Sequence, residues 1–110
     1  MKSSTARSKK MLEEDGWICW GVEQVIRIPG NPIPVRRDLF NIGDLICIRG
    51  YSTLVVQSTV GLNNAAKRVD KIRASKFFNQ VAGAWFIEVH GWRKLKRPRL
   101  HWECKRITVS

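Results

Sequence analysis

One stretch of the chain has the apolar spacing of an amphipathic helix. Across residues 62–78, apolar side chains recur at i, i+3, i+4 and i+7, which places them on one face of a helix. Those apolar positions are Leu62, Ala65, Ala66, Val69 and Ile72. Residues 3–15 predict another helix, which Ser3 or Ser4 would cap and Gly16 would end.

Strand-like segments occupy most of the remaining sequence. Four segments contain apolar runs, the first of them rich in Trp, Val and Ile, and one near the C-terminus alternates between apolar and polar residues. They are residues 17–28, 38–48, 53–59, 84–90 and 101–109, and Gly91 is expected to end the fourth. The order α-β-β-β-α-β-β predicts a single α/β domain over residues 1–110, with a central mixed sheet flanked by helices. Residues 1–10 are basic, and a flexible segment there is the alternative to an early helix.

The composition adds a strong positive charge to this picture. Among the 110 residues, 20 Lys and Arg stand against 9 Asp and Glu, a formal net charge of +11. A hydrophobic content of 44% is too high for a disordered basic tail. A surplus of this size favours a polyanionic partner, most commonly nucleic acid. No stretch approaches the ~20 uninterrupted apolar residues of a membrane span, so the sequence predicts a cytoplasmic protein with no membrane partner.

The basic residues are spread over the chain, as a protein that grips a phosphate backbone at several points requires. The candidate nucleic-acid-binding residues are Lys67, Arg68, Lys71, Trp92, Arg93 and Lys94. Trp92 has two interpretations, stacking on a base or a neighbouring subunit and packing in the core. For any single lysine, a solvated surface position is the alternative.

The three cysteines and two histidines are too scattered to indicate a zinc site or a disulfide framework. Cys19 and Cys47 are interpreted as small apolar strand residues. His90 is interpreted as a structural histidine, with proton transfer as the alternative. The tryptophans expected in the core are Trp17, Trp20 and Trp85.

Pairing the second strand with the third brings an acid close to an amide. With a turn at Gly50-Tyr51, Asp44 lies opposite Gln57, and opposed residues of an antiparallel pair share a face with Cβ atoms ~5 Å apart. Thr59 lies on the same face as Gln57. A carboxylate with neutral oxygens suits Mg²⁺, which can activate a water and neutralise charge on a phosphate. In the structural alternative, Asp44 caps a turn after Gly43, and Gln57 satisfies hydrogen-bonding groups at the edge of a sheet.

Several short motifs occur in the order found in a known nuclease superfamily. They are Trp20-Gly21-Val22-Glu23, Arg37-Asp38-Leu39-Phe40-Asn41-Ile42-Gly43-Asp44, Val56-Gln57-Ser58-Thr59, Asn64 with Arg68 and Lys71-Ile72, and His90-Gly91-Trp92-Arg93-Lys94. In this order of motifs the chain resembles the PD-(D/E)XK nucleases, and more narrowly the small Holliday-junction-resolvase-like proteins of phages and bacteria. The resemblance covers roughly residues 5–105 and implies a restriction-endonuclease-like core.

The resemblance also implies a metal site. Asp44 would be the metal-binding acid, and Gln57 would occupy the second ligand position, where some relatives carry glutamine. The lysine expected two residues later is absent, because Thr59 stands there. Thr59 would position a water or serve only as a good β-former. Arg68 and Lys71, three residues apart on one helix face, are the substitute cations for catalysis.

The family's early metal-binding acid would be Glu23, with Glu13 or Glu14 as alternatives, and Asp38 is the alternative to Asp44. These roles imply a Mg²⁺- or Mn²⁺-dependent endonuclease that hydrolyses phosphodiester bonds in branched DNA. Resolving a junction requires two active sites, so a homodimer is expected. A non-catalytic DNA- or RNA-binding module on the same scaffold is the main alternative, and the missing lysine favours it. A ribosome-associated RNA binder would explain the net charge but not the pairing of Asp44 with Gln57.

Overall fold

A computed structural model of the chain describes residues 3–22, 24–27, 29–37, 39–40 and 42–110. Its helices are α1 (Ser4–Glu14), α2 (Leu62–Arg73) and α3 (Phe78–Ala84). Its strands are β1 (Ile18–Gly21), β2 (Gln24–Ile26), β3 (Val35–Arg37), β4 (Leu45–Arg49), β5 (Ser52–Val60), β6 (Phe86–Leu95) and β7 (His101–Thr108). No helix in these ranges is long and apolar enough to cross a membrane.

Five of the strands form one mixed sheet in the order β1-β4-β5-β6-β7. β5 and β6 are parallel, and the other neighbours are antiparallel. Parallel neighbours need a crossover connection, which α2 and α3 provide between β5 and β6. β2 and β3 form a separate two-stranded sheet. The expected α/β class, with a central mixed sheet and flanking helices, is confirmed.

The helices cover opposite faces of the five-stranded sheet. α1 packs on β1 and β5, and the buried residues of this side are Leu12, Trp17, Cys19, Leu45, Cys47, Leu54 and Val56. α2 and α3 cover the other side, where the buried residues are Ile42, Val55, Ala65, Val69, Ile72, Val81, Ile87, Val89 and Val109. Because side chains alternate along a strand, Val55 and Val56 belong to different clusters. We name these two sides the α1 face and the α2 face.

Some predicted elements are divided in the structure. The segment predicted as one strand over residues 17–28 forms β1 and β2, which belong to different sheets. Of the strand predicted over residues 38–48, only its strongest part, β4, is found in the main sheet. The helix predicted over residues 62–78 ends at Arg73, and α3 follows it without having been predicted.

Gly91 does not end a strand, contrary to the prediction, because β6 continues through it to Leu95. A Cβ atom at Gly91 would lie 3.0 Å from the Cβ of Ala65 on α2. Glycine at this position therefore lets the helix approach the sheet closely. What looked like a break in the sequence is a packing requirement between distant elements.

The tryptophans expected in the core do not share one environment. Trp17 is 8% exposed, as expected, whereas Trp20 is 73% exposed and the core expectation is wrong for it. Trp20 lies on edge strand β1, opposite Ile46. Since α2 packs on β5 and β6, it leaves this end of the α2 face uncovered. Trp85 is half-buried and packs beside the α2-face core.

Cys19 and Cys47 lie directly opposite each other on β1 and β4, and both are buried free thiols. Burial raises the pKa of each thiol above its ordinary value. A thiol that resists ionisation is a weak nucleophile and a weak metal ligand. The interpretation of both cysteines as small apolar strand residues is confirmed.

Candidate functional site

Asp44 precedes β4 at a point where the β4–β5 ladder loses its regular register. Leu45 lies opposite Val56, which is the register predicted from a turn at Gly50-Tyr51. The Asp44 amide also donates to the Val56 carbonyl, at 2.9 Å, so two residues face one, as in a β-bulge. A bulge redirects a side chain, and here the Asp44 carboxylate accepts a hydrogen bond from Thr5 Oγ1 of α1, at 3.0 Å. Asp44 is therefore directed towards α1.

Gln57 and Thr59 lie on the α2 face. Gln57 is two residues from Val55 on β5 and directly beside Val89 on β6, and both valines belong to the α2-face cluster. Asp44, Gln57 and Thr59 are 6%, 7% and 9% exposed. The expected meeting of the acid and the amide on one face is thus not found, and the bulge at Asp44 is the physical reason.

The described residues do not form a metal centre. In the parts of the chain that the structure describes, no group of three His, Cys, Asp or Glu side chains is arranged to hold a metal ion. Glu23, the predicted third ligand, and Asp38, the alternative acid, lie outside the described residues. The Asp44 carboxylate bonds to α1, whereas Gln57 is a residue of the α2 face, so the described contacts do not bring the two side chains to one site. The described residues therefore provide only part of the predicted ligand set, and the Mg²⁺ or Mn²⁺ site stays a prediction.

The basic residues predicted on the central helix lie together on α2. Lys67 and Lys71 are exposed, and Arg68 is half-buried. None of the three forms an ion pair with another described residue. Lys71 lies three residues after Arg68 and four residues after Lys67, the spacing of neighbours on a helix surface. They form a compact set of cations available to an anionic partner, which we name the α2 cation cluster.

The basic residues predicted on the last hairpin are already engaged within the protein. Arg93 Nη2 donates to Glu103 Oε1 across β6 and β7, at 2.8 Å. Lys94 Nζ lies 5.9 Å from the centre of the Trp102 ring, and the Arg7 guanidinium lies 3.8 Å from the same ring. Exposed ion pairs are weak, so Arg93 can exchange its glutamate for a phosphate. The hairpin is a secondary candidate surface.

Trp92 packs inside the protein and is not presented for stacking. Its side chain is 7% exposed, and its indole N–H donates to Ser8 Oγ of α1, at 2.8 Å. Ser8 is fully buried, accepts from Ser58 Oγ at 2.6 Å, and lies 2.8 Å from His90 Nδ1. Of the two interpretations of Trp92, the structure supports the core position. The place of Trp92 among the nucleic-acid-binding residues is corrected accordingly.

His90 connects this serine to an ion pair. Its Nε2 lies 2.9 Å from Glu88 Oε1, and Arg106 donates to both oxygens of Glu88, at 2.9 and 3.1 Å. Burial acts to raise the pKa of Glu88, but the hydrogen bonds from His90 and Arg106 outweigh it, so the pKa lies below its ordinary 4.5. Since Ser8 already accepts two hydrogen bonds, it donates its own hydrogen to His90 Nδ1.

The Ser8, His90 and Glu88 side chains are of the types found in acyl-transfer triads. A nucleophilic serine must reach its substrate, however, and Ser8 is fully buried and shared by three partners. The network instead joins α1 to β5 and β6 in the interior. The structural interpretation of His90 is therefore supported over proton transfer.

An aromatic pocket was not predicted from the sequence. A cavity of about 190 Å³ lies between α3 and the turn that precedes β4. It is lined by Phe40, Phe77, Gln80, Val81, Ala84 and Trp85. The lining residues come from two separated segments, the turn at Phe40 and residues 77–85 around α3, and α3 itself was not predicted. Only the tertiary structure brings them together.

No protein-family model, curated protein or solved structure matches this chain. Functional inference therefore rests on its own residues and their geometry. Those residues provide three features: the α2 cation cluster, a buried carboxylate at a bulge, and an aromatic pocket.

Proposed function

We propose that this protein binds nucleic acid, with DNA as the first candidate, and that the α2 cation cluster is its main contact with the phosphate backbone. The observation that supports this proposal is that Lys67, Arg68 and Lys71 lie together on one helix without an acidic partner among the described residues. The net charge of +11 supports it independently. Cations that neutralise phosphates release condensed counterions, which makes such binding strongly salt-dependent.

The binding proposal is tested by titrating a labelled DNA duplex at several salt concentrations. The double variant Lys67→Ala/Lys71→Ala should bind more weakly than the wild type. It should also lower the slope of log K against log salt by about 2, because each phosphate contact contributes about 0.9. The control is Lys9→Ala/Lys10→Ala, which removes the same charge from exposed positions of α1 on the other face. Equal losses in both variants would show that net charge acts without a defined α2 surface.

Metal-dependent DNA cleavage is a second candidate function, and one observation favours it. Asp44 is a carboxylate with 6% exposure at the open end of the β4–β5 hairpin, and buried carboxylates concentrate at functional sites. The antiparallel strands β1, β4 and β5, followed by a helical crossover to parallel β6, are compatible with this candidate. The described donor set does not form a metal centre, so cleavage stands behind binding.

Cleavage is tested by incubating the protein with a four-way junction, a duplex and single-stranded DNA, with Mg²⁺, with Mn²⁺ and with EDTA. If Asp44 acts in cleavage, Asp44→Asn should abolish the metal-dependent product while DNA binding and the thermal unfolding midpoint remain near wild type. Salt-dependent binding without product in either metal would identify a non-catalytic binding module. Product at an undiminished rate from Asp44→Asn would exclude Asp44 from the chemistry.

Cleavage of both strands of a junction needs two sites, so the second candidate includes a homodimer. Among the described residues, β1 has β4 as its sheet neighbour and no strand on its other side. Ile18 and Trp20 on this strand are 69% and 73% exposed. An open apolar edge is a template for pairing with a second chain, and an edge lysine opposes such pairing.

Sedimentation equilibrium tests the homodimer. Trp20→Lys should convert a dimer to a monomer, whereas Ile33→Lys, at an isoleucine that is 71% exposed, should not. A wild-type protein that stays monomeric at the concentrations of the cleavage assay would contradict the homodimer.

A further inference from the structure

The aromatic pocket beside α3 has the composition of a stacking site. Its lining combines the rings of Phe40, Phe77 and Trp85 with one polar side chain, Gln80. The ring centres of Phe40 and Phe77 are 5.3 Å apart and those of Phe40 and Trp85 are 6.4 Å apart, with the planes tilted. Phe40 is 41% exposed, so a planar ligand can reach the rings from solvent.

The backbone holds Phe40 in a conformation that its residue type disfavours. Phe40 has a φ of 55°, in the left-handed region that costs energy for a side chain with a Cβ. The turn is fixed by the Leu39 amide, which donates to the Gly43 carbonyl at 2.8 Å. Ser75 Oγ donates to the Phe40 carbonyl at 3.0 Å, which ties the turn to the segment between α2 and α3. The aromatic ring is therefore positioned in advance of any ligand.

A lysine lies beside one ring of the pocket, and two further cations precede it in the sequence. Lys76 Nζ lies 5.1 Å from the centre of the Phe77 ring, and Lys71 and Arg73 are exposed in the last turn of α2 just before it. None of these three cations forms an ion pair within the described part of the chain. An apolar aromatic cavity beside a lysine without an ion-pair partner in the described part of the chain complements a ligand with one flat uncharged part and one anionic part.

We propose that this pocket binds one unstacked nucleobase of single-stranded nucleic acid, with Lys76 at the adjoining phosphate and Gln80 at the base edge. The inference rests on the proposed nucleic-acid binding and adds what that function leaves open, a preference for unpaired over duplex DNA. Stacking on aromatic side chains tolerates any base, because every base has a π-face. In a paired duplex the base faces are occupied by neighbouring pairs, so the pocket discriminates between the two forms.

The test compares oligothymidylate with a duplex of equal length at one salt concentration, using the full chain. Phe40→Gly removes the ring at a position whose positive φ glycine adopts readily, so the fold is retained. This variant should bind oligothymidylate about 5- to 100-fold more weakly, the loss expected for one stacked base, and bind the duplex within about twofold of wild type. The matched control is Tyr51→Gly, which removes a fully exposed aromatic ring outside the pocket lining.

A second oligonucleotide makes the result specific to the base. Replacing the bases of oligothymidylate by abasic residues keeps the phosphate charge and should weaken wild-type binding, while Phe40→Gly should bind the two oligonucleotides alike. Equal effects of Phe40→Gly on the single strand and the duplex would overturn the pocket while leaving the proposed function in place. A loss of self-association in Phe40→Gly, with DNA binding unchanged, would also overturn the pocket as a base-binding site. A second copy of the chain would then be its occupant. A wild-type protein that binds neither DNA would overturn both proposals.

Discussion

The two faces of the central sheet are held together by different interactions. The α2 face is aliphatic: Val55, Ile72, Ile87 and Val89 are each no more than 1% exposed and contact one another in a continuous cluster. The α1 face has a smaller apolar cluster and, beside it, the buried hydrogen bonds of Ser8 with Ser58, His90 and Trp92. Apolar burial is strong but non-directional, whereas hydrogen bonds are weaker in net terms and demand defined positions. We infer that the α2 face provides more of the stability, and that the α1 face defines where its helix sits.

The largest effect is expected from a cavity on the α2 face. Ile72→Ala should lower the free energy of unfolding by about 2–5 kcal/mol, because it removes a 1% exposed side chain from a close-packed core. Urea denaturation measures the change. The control Ile33→Ala, at a 71% exposed position, should stay within about 0.5 kcal/mol of wild type. A loss at Ile72 no greater than that of the control would contradict the aliphatic face as the main source of stability.

An intermediate effect is expected from the hydrogen-bonded serine on the α1 face. Ser8→Ala should cost about 1–3 kcal/mol of unfolding free energy, because it leaves the Trp92 indole N–H without its acceptor in the interior. Urea denaturation again measures it, with Ser4→Ala in the same helix as the control, since Ser4 forms no side-chain hydrogen bond within the described residues. If the two variants were equally stable, the network would not hold α1.

The α1 face should also make stability depend on pH. The pKa of Glu88 is lower in the folded protein than its ordinary 4.5, so ionised Glu88 stabilises the fold above that pH. This contribution is lost as the pH falls from about 4.5 through the lowered pKa. Glu88→Gln should therefore flatten the fall in unfolding free energy below pH 4.5, measured by urea denaturation at several pH values. Glu103→Gln removes an exposed carboxylate as the control, and an acid slope identical in Glu88→Gln and wild type would contradict this role.

The smallest effect is expected from the exposed ion pair between Arg93 and Glu103 on the β6–β7 hairpin. A double-mutant cycle on Arg93 and Glu103, which are 46% and 47% exposed, should give a coupling below about 1 kcal/mol that falls with added salt. The same cycle on Arg106 and Glu88, with Glu88 only 17% exposed, should give a larger coupling that salt reduces less. Equal couplings in the two cycles would remove this distinction between the faces.

Several features could be predicted because they depend on neighbours in the sequence. The apolar periodicity identified α2, and the turn at Gly50-Tyr51 predicted the register of Leu45 opposite Val56. Gly91 was misread because strand-breaking and close-packing glycines look the same in a sequence. The packing reason depends on Ala65, which lies 26 residues earlier in the chain.

The candidate site was predictable only in part for a related reason. Local arithmetic placed Asp44 near Gln57 but could not show the bulge that turns Asp44 towards Thr5, a contact across 39 residues. The hydrogen bond between Trp92 and Ser8 spans 84 residues, so the burial of Trp92 could not be separated from an exposed stacking role. Likewise, the rings of Phe40, Phe77 and Trp85 have no common pattern in the sequence.

The sequence by itself determined the net charge of +11, the α/β class and the strands that form the centre of the sheet. These properties follow from composition and from apolar spacing within short windows. Only the tertiary structure decided that Asp44 and Gln57 occupy opposite faces, that Lys67 and Lys71 remain without acidic partners among the described residues, and that three aromatic rings form a pocket. The physical reason is that a side chain's direction and neighbours depend on contacts between residues far apart in the chain, which no local pattern encodes.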